Sequence, residues 1–69
     1  MLTDTQLCHE WRRSFTALQR AVGDPARLTA VIQTRARYLD ELERRHPAAF
    51  LAWLAHGARA ASDPSRYLT

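Results

Sequence analysis

A chain of 69 residues allows one domain, and at that length roughly 60% of the unfolded surface can be buried, so a lone fold is viable but marginal. Cys8 is the single cysteine, which excludes an internal disulfide and fits a reducing, cytoplasmic setting better than a secreted one. The ten basic residues are all arginine, set among seven acids for a net charge of +3, a surplus too small to single out nucleic acid as the partner. Heavy use of arginine and alanine points to a GC-rich bacterial or phage genome, which weakens any reading of arginine as selected for phosphate chemistry. The opening "MLTDTQLCHEWRR" lacks a basic segment followed by an apolar run, so it does not read as a signal peptide. The longest apolar stretch, residues 48–55, falls far short of the roughly 20 residues a membrane span needs.

The first predicted element is a helix over about residues 4–22. Thr3 and Gln6 have the spacing of a capping box, in which each side chain bonds the other's backbone N–H. Cys8, Trp11, Phe15, Leu18 and Val22 then recur at steps of three and four, one apolar stripe, and Gly23 supplies the stop. The second helix is predicted over 25–45, with Asp24 as N-cap and Pro25 at the first helical position. Leu28, Val31, Ile32, Tyr38, Leu39 and Leu42 form its stripe, and Pro47 ends it while suiting the first turn of a third helix over 47–61. Residues 62–69 form a short tail. In it "SDPSRY" echoes "GDPARL" at 23–28, which suggests a last helical turn with Tyr67 and Leu68 folding back, although a disordered tail is the competing reading. No strand stands out. The pattern predicts an all-α, up-down-up three-helix bundle.

Enzymatic motifs are wanting. "HEWRR" at residues 9–13 opens like a zinc-protease helix but places Arg13 where the second imidazole belongs, and Cys8, His9 and Glu10 fan out around the helix instead of converging. Ser14, Ser62 and Ser65 sit in no glycine-flanked elbow, and two glycines cannot build a phosphate-cradling loop. Asp40, Glu41 and Glu43 lie among arginines and read as a solvated, salt-bridged helix end. The expectation is a protein with no catalytic, cofactor or metal site.

Surfaces carry more information. His9, Arg13 and Arg20 align opposite the first apolar stripe and form a possible nucleic-acid ridge. Arg35 falls in the middle of the second stripe, so it must snorkel past a neighbour or meet a partner chain. The third helix, "HPAAFLAWLAHGARAA" with its lead-in, has almost no polar side. Phe50, Leu54, Gly57, Ala58 and Ala61 share one side of it, Leu51 and Trp53 take the shoulders, and Ala48, Ala49, Ala52, Ala55 and Ala60 fill the rest. A helix with no polar face is normally covered all round, so a second chain is expected over it, with Gly57 as the point of closest approach. The expected interface is Arg35, Phe50, Trp53, Leu54, Gly57 and Ala61. The function that follows is a small cytoplasmic protein–protein interaction module, a homodimer through the third helix or a subunit or regulator within a larger complex. A small DNA-binding regulator using the basic ridge is the alternative, and an accessory subunit of an enzyme on another chain comes third.

Overall fold

The computed structural model describes residues 1–59 and 61–68. Helix α1 spans Asp4–Arg20, α2 Pro25–Arg45 and α3 Pro47–Ala55, and a single 3-10 turn covers Ser65–Tyr67. Each start follows from local chemistry. Gln6 N–H donates to Thr3 Oγ1 at 3.1 Å while Thr3 N–H donates to Gln6 Oε1 at 2.8 Å, a complete capping box. Asp24 accepts from Arg27 N–H at 3.2 Å ahead of Pro25. His46, held out of the helical region (φ −139°, ψ 69°) as a residue before proline tends to be, is the whole connection between α2 and α3. Helix α1 stops two residues short of the expected Val22, and Gly23 turns the chain with φ +97°.

The α1/α2 hairpin is antiparallel, and charges tie its open end together. Asp4 Oδ1 lies 3.2 Å from Arg45 Nη1, and Asp4 Oδ2 lies 2.7 Å from His46 Nε2. On α2, Glu41 accepts from both Arg44 and Arg45. Inside this end sit Leu7, Cys8 and Leu42, ringed by Tyr38, Leu39, Phe50 and Leu68. One layer further along, Trp53 of α3 meets Trp11 of α1 edge to face, with ring centroids 5.8 Å apart. The molecule is an all-α three-helix bundle, and no strand occurs among the described residues.

The third helix departs from expectation. It ends at Ala55, and Gly57 adopts φ +82° and donates its N–H to Leu54 O at 3.1 Å, so it is a C-terminal turn residue and not a helix-interior one. Gly57, Ala58 and Ala61 therefore share no helical side with Phe50 and Leu54, and Ala60 lies outside the described residues. The physical reason is the two indoles. Trp11 Nε1–H donates to Ser62 O at 2.9 Å and Trp53 Nε1–H to Ser62 Oγ at 3.1 Å. Helix through residue 61 would add about 9 Å of axial rise beyond Ala55, whereas the turn at Gly57 brings Ser62 back to both indoles. The returning tail buries Pro64 and seats Leu68 on the core, while Tyr67 stacks on His56 at 5.9 Å.

Candidate functional site

The length of α3 decides which apolar surface is covered. Its 9 residues give about 13 Å of helix against about 31 Å for the 21 residues of α2. With the tail it roofs only the half of the hairpin groove that holds Cys8, Trp11, Leu39 and Leu42. Exposure rises toward the far end of the first stripe and reaches its maximum on the second at Ile32. On α1 the stripe runs from buried Leu7, Cys8 and Trp11 to half-buried Phe15 and Leu18, and Val22 in the turn that follows is 75% exposed. On α2 it runs from buried Leu42 through half-buried Leu39 to Ile32, 52% exposed, with half-buried Leu28 beyond. Leu54, 48% exposed at the end of α3, borders this surface and lines a small cleft with Trp11, Leu39 and Trp53. Phe15, Leu18, Val22, Leu28, Ile32 and Leu54 form the candidate docking face.

The expected interface residues fall into three places. Leu54 lies on this face. Trp53 and Arg35 are 4% and 6% exposed, and Phe50 is half-buried against the core, so these three work inside the chain. Gly57 and Ala61 belong to the turn and return segment, which removes the small-residue crossing point expected of α3. Arg35 resolves its own puzzle. Its guanidinium carbon lies 3.9 Å from the centre of the Trp11 ring, and its Nη1 donates to Ser14 Oγ at 2.7 Å and to Trp11 O at 3.3 Å. Burial lowers its pKa, yet a guanidinium starts so high that it stays charged.

The stripe residues of the docking face read from sequence as core, because periodicity reports a buried side without saying what buries it. The signal that could have separated them is length: a third helix shorter than the hairpin cannot cover both halves of it.

The basic ridge is redistributed. Arg13 and Arg20 line one cleft on the other side of the hairpin, joined by Arg27 of α2. His9 goes elsewhere, beside Thr5, Cys8, Arg12 and Asp63. Burial pushes the Cys8 thiol up, with Asp63 and Asp4 adding to the effect, so it stays neutral and unreactive. Among the described residues no three of His, Cys, Asp and Glu converge as metal ligands, and no helix is long and apolar enough to cross a membrane. Compared with known protein families, with curated proteins and with solved structures, the chain matches none.

Proposed function

We propose that this chain is a small protein-binding module that works as a homodimer, pairing through the uncovered half of its α1/α2 hairpin. The observation that supports this most is the exposure gradient: apolar residues in register with buried ones lie open because α3 stops short. A second copy fits for three reasons. An apolar face turned on its own two-fold mate is self-complementary. By helical position the hairpin part of the face is flanked by Gln19, Thr29 and Gln33, which set no like charges against each other, with Arg59 beside Leu54 at its edge. The core is also small, with seven buried apolar residues among those described, so pairing adds burial where the lone chain has little. Cys8 as a free thiol suits the cytoplasm, and the module acts by binding, as a regulator or subunit of a larger complex, not by catalysis.

The test is charge insertion. Ile32→Glu places a carboxylate at the centre of the proposed contact, at a position already half in water. Light scattering should give about twice the 7.9 kDa chain mass for the wild type and the single-chain mass for the variant, with the helical circular dichroism retained. A variant that keeps the wild-type mass would show that pairing, if any, uses another face.

A further inference from the structure

Opposite the docking face, the α1/α2 hairpin carries a second groove of different chemistry. Arg13, Thr16, Ala17 and Arg20 of α1 and Arg27 and Val31 of α2 line a cleft of about 470 Å³, and no acid lines it. A neighbouring cleft of about 270 Å³ shares Arg13, Ala17, Arg27 and Val31, so the two form one continuous groove. Its one carboxylate is Glu10, at the far end, 3.8 Å from Arg13. Among the described residues, Arg20 and Arg27 have no carboxylate within ion-pair distance. All three arginines are exposed, and the floor between them is made of small side chains.

We propose that this groove binds the phosphodiester backbone of nucleic acid through Arg13, Arg20 and Arg27. Arg13 and Arg20 are two helical turns apart, about 10 Å at 1.5 Å per residue, which suits separate phosphates along a strand better than one enclosed anion. The low floor of Ala17 and Val31 lets a bulky backbone approach the guanidinium groups, whose planar forks match phosphate oxygens. Contacts of this kind position a duplex without reading bases, so the binding is independent of sequence. Because the groove lies on the other side of the hairpin from the docking face, pairing of two copies leaves it open, and the proposal stands whether or not the chain dimerises.

The probe is a labelled duplex of about 20 base pairs, read by fluorescence anisotropy between roughly 50 and 200 mM salt. Arg20→Ala/Arg27→Ala should weaken binding at least about tenfold at the lower salt and reduce the slope of log K against log salt by about 2. Arg20→Lys/Arg27→Lys, which keeps the charges, should retain most of the slope. Arg59→Ala/Arg66→Ala, an equal charge loss at the C-terminal end, should stay within about twofold of wild type. No duplex binding by the wild type would overturn the proposal. So would a groove variant that keeps the wild-type slope, or a control pair that loses as much as the groove pair. Tripolyphosphate bound in the absence of any duplex binding would also overturn it, since the site would then be a small-anion pocket.

Discussion

Arg35 stays buried in an apolar stripe because α1 offers it a ring face and two oxygens at the right height. Its stem fills the groove beside Trp11 while its head bonds Ser14 Oγ and Trp11 O. Arg35→Ala should therefore destabilise the fold by about 2–4 kcal/mol, through lost packing and lost hydrogen bonds together. Arg35→Met, which keeps most of the stem, should cost clearly less, as read by urea unfolding followed by circular dichroism. The oddity of an arginine in that stripe was legible from helical spacing. Its partner was not, because Trp11 reaches it through the register between two helices, which single-helix periodicity does not carry. The same limit hid Arg27, which joins Arg13 and Arg20 only once the hairpin closes.

At the scale of elements, two junctions hold the helices in place. The first is the ionic corner between the start of α1 and the end of α2. Hydrogen bonds from Arg44 and then Arg45 hold the Glu41 carboxyl down from its ordinary 4.5 to about 2, and Asp4 is lowered chiefly by its bond to His46. A carboxyl with a depressed folded-state pKa adds stability above its unfolded pKa and loses it as pH falls toward the folded one. Wild-type stability should thus decline between about pH 4.5 and 2, and Glu41→Gln should flatten that decline until the two proteins converge near the acid end. Thermal melts across this range read it directly. An acid limb in the variant as steep as in the wild type would remove Glu41 from the account.

The second junction is Gly57. Nothing lies within 4 Å of where a Cβ would stand, so a substitution meets strain from φ +82° and not a clash. Gly57→Ala should cost about 1 kcal/mol, and Gly57→Asn less, because Asn tolerates the left-handed region. A stabilised Gly57→Ala would mean that α3 continues as helix through this position. The helix starts were legible, since Thr3, Asp24 and the prolines act locally. The end of α3 was not, because it is set by the hydrogen-bond demand of Trp11 and Trp53, met by Ser62 from far along the chain.

For the whole molecule the consequence of an early stop is a thin body, 15 Å in its shortest dimension, with a Cα radius of gyration of 12.2 Å. A well-rounded chain of this length would have about 11 Å. Phe15, Leu18 and Leu28 are half-buried and Val22 and Ile32 exposed in the half of the hairpin that α3 does not reach. The composition of the third helix predicts an apolar surface left open, and Leu51 at 64% and Leu54 at 48% exposure are such residues on α3. Val22 and Ile32 at the other end of the hairpin are exposed as well, which the spacing of the stripes alone does not carry. Sedimentation equilibrium of the wild-type chain from about 1 to 100 µM tests the proposed pairing most directly. The mass should rise with concentration from 7.9 kDa toward twice that value. A mass fixed at that of one chain across the whole range would contradict the account.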